Sequence, residues 1–197
     1  MSNTNNSEGT FTVRDDDGMI IWTYKGGVLN GLRHGKGKVT WSNGDIYEGD
    51  FVEDIRTGKG KLTLADGAVY EGDFVDGEFH GKGKLTLSNG VVYEGDFVDD
   101  EQTGKGKLAY PDGAVYEGDF VEGKMTGKGK FTWPSGSVYE GDFVDNKQTG
   151  KGKTTMLNGT AYEGDFVDGK FHGKGKFSTI VEGTVYEGNW LNGSPVP

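Results

Sequence analysis

A repeat of 23 residues constrains the fold of this chain more than any other feature of its sequence. The tripeptide Tyr-Glu-Gly begins at Tyr47 and returns every 23 residues as far as Tyr162, then once more at Tyr186 after an interval of 24. The tetrapeptide Gly-Lys-Gly-Lys begins at Gly35 and occurs seven times with the same period. One period before Tyr47 lies a degenerate copy that starts at Tyr24. A fixed period of this length is the signature of a repeat architecture, in which neighbouring units stack or pair.

The boundaries of the repeats divide the chain into three parts. Seven full repeats cover residues 24–185, and a half repeat at 186–193 completes an array over 24–193. We expect residues 1–23 to form an N-terminal segment that caps the array, and residues 194–197 to form a C-terminal tail.

Each repeat has the pattern of a β-hairpin. In one copy, two runs of strand-forming residues, 84–87 and 91–97, flank Ser88-Asn89-Gly90. Either a three-residue loop that ends in glycine or a two-residue Asn-Gly turn could close this hairpin, and the two differ in register by one residue. The three-residue loop is favoured, because it places apolar side chains opposite apolar ones and lysines opposite acids. It predicts the pairs Leu87–Val91, Leu85–Tyr93 and Gly83–Gly95 on one face, and Thr86–Val92, Lys84–Glu94 and Lys82–Asp96 on the other.

The two faces of the predicted sheet differ in chemistry. Tyr70, Gly72 and Phe74 illustrate an aromatic face, in which the glycine leaves room for a ring from an adjacent strand to lie across the backbone. The other face carries Lys, Glu, Asp and Thr. A single hairpin is too small to be stable alone, and segments such as 76–81 return the chain to the next unit. The fold class we predict is therefore all-β, an elongated, twisted antiparallel sheet of tandem hairpins.

The repeat in residues 70–90, YEGDFVDGEFHGKGKLTLSNG, resembles the MORN (membrane occupation and recognition nexus) repeat, and the resemblance extends over about 24–193. It implies an elongated, twisted antiparallel sheet that acts as a partner-binding or assembly module, with a cytoplasmic and cytoskeletal or ciliary location. The sequence departs from the family pattern in having mostly Phe where the first strand usually has Trp. A loop position that is often basic in the family is here occupied by Phe79, Gln102, Met125, Gln148 or Phe171.

Residues that could carry chemistry are each better explained by architecture. The segment from Gly118 to Met125 approaches a phosphate-binding loop but lacks the hydroxyl that such a loop needs. His34, His80 and His172 share a repeat column, yet lie two or more repeats apart, too far to bind one metal ion. The Glu and Asp of each Tyr-Glu-Gly-Asp have lysines across the strand and favour ion pairs over hydrolysis. We therefore expect no enzyme activity, no cofactor, no metal and no small-molecule substrate.

Charge and the aromatic face together define the expected partners. The net charge of −10 argues against nucleic acid and against acidic lipids. A single-layer sheet has no second layer to cover its apolar face, and large apolar patches usually mark interaction sites. We predict a scaffold that binds a protein segment, as a helix in a groove or as an added edge strand, or a second copy of itself. The expected contacts are Trp41, Leu64, Leu87, Tyr110, Trp133 and Met156 beside the turns, with Tyr47, Tyr70, Tyr93, Tyr116, Tyr139 and Tyr162.

Two alternatives remain open from the sequence. The aromatic residues could serve only to pack the array against itself. The family name also suggests a membrane-linked adaptor that binds phospholipid head groups, although the acidic charge opposes this function.

Overall fold

The computed structural model describes residues 7–180 and 183–197, which contain strands and turns but no helix. The chain divides into two compact units, residues 1–101 and 102–197. In unit 1 the strands are β1 (Ser7–Arg14), β2 (Ile20–Leu29), β3 (Leu32–Trp41), β4 (Ile46–Val52), β5 (Ile55–Thr63), β6 (Val69–Val75), β7 (Glu78–Thr86) and β8 (Val92–Val98). The remaining strands are β9 (Glu101–Ala109), β10 (Val115–Val121), β11 (Lys124–Thr132), β12 (Val138–Val144), β13 (Lys147–Thr155), β14 (Ala161–Val167), β15 (Lys170–Ser178), β16 (Val185–Leu191) and β17 (Ser194–Val196).

Both units are antiparallel meanders, in which strands that follow each other along the chain pair side by side. This holds from β1 to β8 in unit 1 and from β9 to β17 in unit 2. The predicted all-β antiparallel class is confirmed. Residues 7–14 of the expected N-terminal cap form β1, and 194–196 of the expected tail form β17. The first six residues of that cap lie outside the described residues.

The predicted three-residue loop is confirmed in the copy used to derive it. The backbone N–H of Leu87 donates to the carbonyl of Val91 (2.8 Å), and Gly90 has a left-handed φ of 85°. Lys84 lies opposite Glu94 in the strand register. The other pairs that continue the ladder, Leu85–Tyr93, Gly83–Gly95, Thr86–Val92 and Lys82–Asp96, are also as predicted. In the last full repeat, the turn residue Glu182 lies outside the described residues.

The segments expected to return the chain between hairpins are themselves hairpins, and this corrects the sequence interpretation. Only Asp76 and Gly77 form the turn, with φ values of 51° and 89°. Positive φ at both central residues defines a type I′ turn, whose twist matches that of the flanking strands. The next residues, Glu78-Phe79-His80, already belong to β7 and pair with β6. Every repeat therefore adds two strands that are paired along most of their length.

A bulge in β7 explains the first Gly-Lys of the Gly-Lys-Gly-Lys motif. Gly72 pairs with Gly83, but the next residue of β6, Asp73, pairs with His80, which leaves two residues of β7 unpaired on this side. Gly81 adopts a left-handed φ of 60° there. The carboxylate of Asp73 accepts the freed backbone N–H of Lys82 (3.2 Å). A residue that looks like half of a catalytic pair in the sequence thus satisfies a backbone donor.

The second glycine of the motif makes room for the core. The Tyr70 ring lies over the paired backbone of Gly72 and Gly83, where an added Cβ would overlap it. Its hydroxyl donates to the carbonyl of Asp73 (2.9 Å). Edge-to-face contacts join the ring to Phe74 in the same strand and to Phe97 in the next repeat, each at 5.2 Å between centroids. The expected ring over glycine is confirmed, and the ring covers a glycine of its own strand as well as one of the adjacent strand.

Candidate protein-binding face

The face that carries Lys, Glu and Asp is a lattice of ion pairs. Lys59 and Asp73 lie 2.6 Å apart, and Lys61 and Glu71 lie 3.1 Å apart, as the register predicts. The same two pairs recur in other repeats, for example between Lys128 and Asp142 at 2.5 Å. Exposed pairs of this kind add at most about 1 kcal/mol each. The rows flank grooves of about 680 Å³ in unit 1 and 800 Å³ in unit 2, and several of the lysines that line them form ion pairs, such as Lys38 with Glu48 and Lys151 with Asp165.

The aromatic face is covered by a set of side chains that we call the lid column. Five of them lie opposite a buried Phe of the preceding strand, as Phe79 lies opposite Phe74, whereas Arg33 lies opposite Val28 and Gln102 holds the same repeat position in the sequence. The members of the lid column are Arg33, Arg56 and Phe79 in unit 1, and Gln102, Met125, Gln148 and Phe171 in unit 2. Phe79 stacks on Tyr70 at 3.7 Å between centroids, and Phe171 stacks on Tyr162 at 3.8 Å. The Arg56 guanidinium lies 5.6 Å from the Tyr47 ring centre. The chain therefore supplies much of its own second layer, which the sequence interpretation had treated as missing.

The six tyrosines predicted to contact a partner are all buried, and Tyr47, Tyr70 and Tyr162 lie beneath a lid residue. Tyr47, Tyr70, Tyr93, Tyr116, Tyr139 and Tyr162 are each 0–1% exposed. Burial raises the pKa of Tyr47, and likewise that of Tyr116, to about 12, because the phenolate would lose its hydration. In this arrangement the tyrosines pack the sheet, and they would touch a partner only if lid residues moved aside.

The other six predicted contacts form a row at the end of each hairpin, which we call the turn column. The structure places Trp41, Leu64 and Leu87 in unit 1, and Tyr110, Trp133 and Met156 in unit 2. Leu64, Leu87 and Met156 are 37%, 40% and 38% exposed, and the three aromatic members are half-buried. Within each unit this column is therefore available to a partner while the tyrosine core is not.

Sequence reasoning missed several residues that extend the turn column. In unit 1, Trp22 on β2 lies directly opposite Trp41 on β3. In unit 2, Phe131 contacts Trp133 edge-on at 5.0 Å and lies 6.5 Å from Tyr110. A shallow groove of about 260 Å³ runs beside Trp133, and the lid residues Met125 and Gln148 line it with Phe131 and Phe143. The period-2 alternation could have placed Phe131 on this face, but the groove depends on the lid residues.

The acidic charge is distributed unevenly. Residues 1–101 contain 19 acidic and 10 basic side chains, a net charge of −9, whereas residues 102–197 contain 12 and 11, a net charge of −1. The type I′ turns contribute to this difference, because Glu78 and Glu101 follow two of those turns and lysines follow later ones. In unit 2, Lys124 pairs with Asp145 at 3.3 Å and Lys147 with Asp168 at 2.9 Å. The two units thus offer partners different electrostatic surroundings.

Within residues 7–180 and 183–197, no helix is long and apolar enough to cross a membrane. The same described residues contain no group of three or more metal-ligating side chains close enough to share an ion.

Comparison with solved structures finds domains of similar fold at low sequence identity. The TCP domain of SAS-4 (dCPAP) of Drosophila melanogaster, in complex with a proline-rich motif of Ana2 (dSTIL), matches 96% of this chain and 93% of its own with a TM-score of 0.50 and 10% identity. The G-box domain of the microcephaly protein CPAP matches 93% of this chain and 100% of its own, with a TM-score of 0.48 and 14% identity. At such identities the likeness concerns the fold alone. No curated protein matches the sequence.

The repeats themselves match a known family with the phase deduced above. The MORN repeat matches residues 24–46, 47–69, 70–92, 93–115, 116–138, 139–161, 162–179 and 186–195. No catalytic family is among the matches. With nearly the whole array covered, the chain belongs to the MORN repeat family.

Proposed function

We propose that this protein is a non-catalytic scaffold that binds a protein segment, or a second copy of itself, along the turn column of its aromatic face. The observation that carries the proposal is the contrast within that face. The tyrosines and phenylalanines that hold the sheet together are covered, whereas large apolar side chains beside the turns stay accessible. Large aromatic and apolar side chains that stay accessible at the surface are the usual anchors of protein interfaces.

The remaining architecture supports a binding role. The charged face is used in cross-strand pairs, and the motifs that resembled a phosphate loop or a carboxylate pair have backbone functions in the bulge and beneath the tyrosine ring. The SAS-4 TCP domain, which has a similar fold, is in complex with a proline-rich motif. That precedent supports a peptide ligand for a sheet of this kind. The cytoplasmic, cytoskeletal or ciliary location stays a prediction of the family resemblance.

The test replaces the three aromatic members of the turn column, Trp41, Tyr110 and Trp133, by alanine in one variant. We expect recovery of partners from the native source, identified by proximity crosslinking and mass spectrometry, to fall more than tenfold, because anchor aromatics each contribute about 2 kcal/mol or more. Circular dichroism and thermal melting should show that the variant remains folded, because these side chains are half-exposed and lie outside the buried core.

The matched control changes Val75, Val121 and Val144 to alanine. These valines are 46%, 54% and 54% exposed at the strand ends, outside the turn column. We expect this variant to recover the same partners as the unaltered chain. If the turn-column variant keeps full partner recovery and self-association, the turn column is not the binding surface and the proposal is wrong.

A further inference from the structure

We propose that the turn column of unit 2 binds an uncharged, proline-rich segment in the polyproline II conformation, laid across the strands with Trp133 as its central anchor. The inference rests on the proposed function and specifies the class of partner. Its support comes from the spacing of the column, the hydrogen-bonding groups beside Trp133 and the charge balance of unit 2.

The column runs straight across the strands. Ala109 and Thr132 both pair with Val115, and Thr132 and Thr155 both pair with Val138. The residues that follow these, Tyr110, Trp133 and Met156, are therefore aligned perpendicular to the strands. They are two strands apart, which corresponds to about 9.6 Å per repeat at the usual strand spacing of about 4.8 Å.

This spacing matches the period of a polyproline II helix. Three residues make one turn with a rise of about 3.1 Å each, so that equivalent side chains recur about every 9.3 Å. In an α-helix the same face recurs after seven residues, or about 10.5 Å. Over the two intervals of the column, the mismatch is about 0.6 Å for polyproline II and about 1.8 Å for an α-helix. A polyproline II segment can thus place one residue against each of the three repeats.

The groove beside Trp133 offers what such a segment requires. Its walls are the rings of Phe131 and Trp133 and the buried side chain of Met125, which suit a proline ring. Polyproline II has no internal hydrogen bonds, so its carbonyls seek donors from the partner. Among the described residues, neither the indole Nε1–H of Trp133 nor the side-chain amide of Gln148 has a hydrogen-bond partner. Both border the groove, and aromatic-lined grooves are the usual receptors of proline-rich segments.

Charge favours an uncharged occupant in unit 2. The carboxylates along the nearby turns, Asp145 and Asp168, already pair with Lys124 and Lys147, and the unit has a net charge of −1. A basic segment would be drawn instead to unit 1, with its net charge of −9. The proposal therefore predicts binding that depends little on salt.

The experiment titrates the full chain into a fluorescein-labelled peptide of ten prolines and follows the anisotropy. A peptide of alternating glycine and serine of the same length is the control ligand, and an amphipathic α-helical peptide is the competing class. We expect saturable binding of the proline peptide alone, with less than about a twofold change in affinity between low and physiological salt. Trp133→Leu should weaken it about tenfold or more, while Val144→Ala, at an exposed strand end of the same unit outside the turn column, leaves it unaltered. Circular dichroism verifies that both variants are folded.

Several results would overturn the inference. The proline peptide could fail to saturate, the α-helical peptide could bind more tightly, or the Trp133→Leu and Val144→Ala variants could behave alike. Strong salt dependence without any effect of Trp133→Leu would place the binding on the acidic unit 1. Sedimentation that shows self-association abolished by Trp133→Leu would assign the face to a second copy. If any of these occurs while the triple alanine variant still loses its native partner, only the polyproline inference fails and the proposed function stands.

Discussion

A methyl group added beneath a core tyrosine tests the packing that defines this sheet. In Gly129→Ala, the new Cβ would lie 2.5 Å from Oη and 2.6 Å from Cζ of Tyr116. Real Cβ atoms do not approach other heavy atoms so closely, so the ring has to shift. It has little room, because Phe120 and Phe143 hold it edge-on at 5.2 and 4.9 Å and its exposure is 0%.

The size of the effect follows from two contributions that destabilise the fold and one that stabilises it. Overpacking a well-filled core costs about 1–3 kcal/mol. If the Tyr116 ring is expelled, the lost burial raises the cost towards the 3–5 kcal/mol or so that is typical of removing a large aromatic side chain. Replacing glycine by alanine also stabilises the fold by about 0.4–1 kcal/mol through the unfolded chain. We therefore expect Gly129→Ala to lower the free energy of unfolding by about 2–4 kcal/mol.

Urea unfolding followed by circular dichroism measures the change, and hydrogen exchange at the amides of β10 and β11 shows whether it is local. Gly113→Ala is the control, because the position has open space and only its φ of 93° opposes a side chain, at about 1–2 kcal/mol. The three atoms nearest the added Cβ all belong to Tyr116. In a Tyr116→Ala background, Gly129→Ala should therefore lower the free energy of unfolding only slightly. A Gly129→Ala variant no less stable than Gly113→Ala, or equally destabilised without Tyr116, would refute the packing argument.

Two further predictions concern pH and the bulge. Because the folded pKa of Tyr47 and of Tyr116 lies near 12, above the unfolded value of about 10, their contribution to stability is complete below pH 10 and is lost as the pH rises towards 12. In this pH range, unfolding followed by circular dichroism should coincide with the rise in phenolate absorbance. Phenolate formation in a still-folded chain would contradict this prediction. Asp142→Ala should lower the free energy of unfolding by about 1–3 kcal/mol, since the carboxylate accepts the backbone N–H of Lys151 (3.0 Å) as well as pairing with Lys128. Asp142→Asn should cost less because an amide oxygen still accepts that N–H, and equal losses in urea unfolding would show that the ion pair alone matters.

The sequence predicted the hairpin register because the side chains on each face discriminate between the two possible turns. Lys84 meets Glu94 and Leu85 meets Tyr93 only with the three-residue loop. A shift of one residue would have placed Lys84 opposite Gly95, so a single repeat was enough to decide. The same loop recurs in the first six full repeats, for example where the N–H of Trp133 donates to the carbonyl of Ser137, whereas in the last repeat the N–H of Thr179 donates to the carbonyl of Thr184, one residue further on.

The second turn escaped sequence analysis because its signature varies. Asn30-Gly31 has the usual composition of a type I′ turn, but Glu53-Asp54 does not. In Asp54 the cost of a positive φ without glycine is offset by its carboxylate, which accepts the backbone N–H of Arg33 at 2.9 Å and pairs with its guanidinium. Asp100 and Asn146 accept the backbone N–H groups of Phe79 and Met125 in the same way. Such contacts join residues 21 positions apart, so local turn rules do not show them.

The lid column was visible in the sequence but its role was not. The residues of this column depart from the family pattern, and the succession of Arg, Phe, Gln and Met along the repeats shows no period that would predict a role. Most of these side chains share a position opposite a buried Phe, as in the pair Phe74–Phe79, whereas Arg33 lies opposite Val28. That shared position becomes apparent only once the type I′ turn sets the register. The prediction that the tyrosines contact a partner was made without this covering layer.

The repeats also provide a comparison within one chain, which separates architecture from recognition. The invariant glycines of the Gly-Lys-Gly-Lys motif have backbone duties, as Gly81 and Gly83 do at the bulge and beneath the tyrosine. A binding surface on such positions would be the same in every repeat and could not distinguish one stretch of the array from another. The lid and turn columns are free of those duties, and they differ from repeat to repeat, as Leu87 and Trp133 do. We therefore expect selectivity for a partner to reside in these two columns, and the richer aromatic content of the turn column in unit 2 makes that unit the place to look for it first.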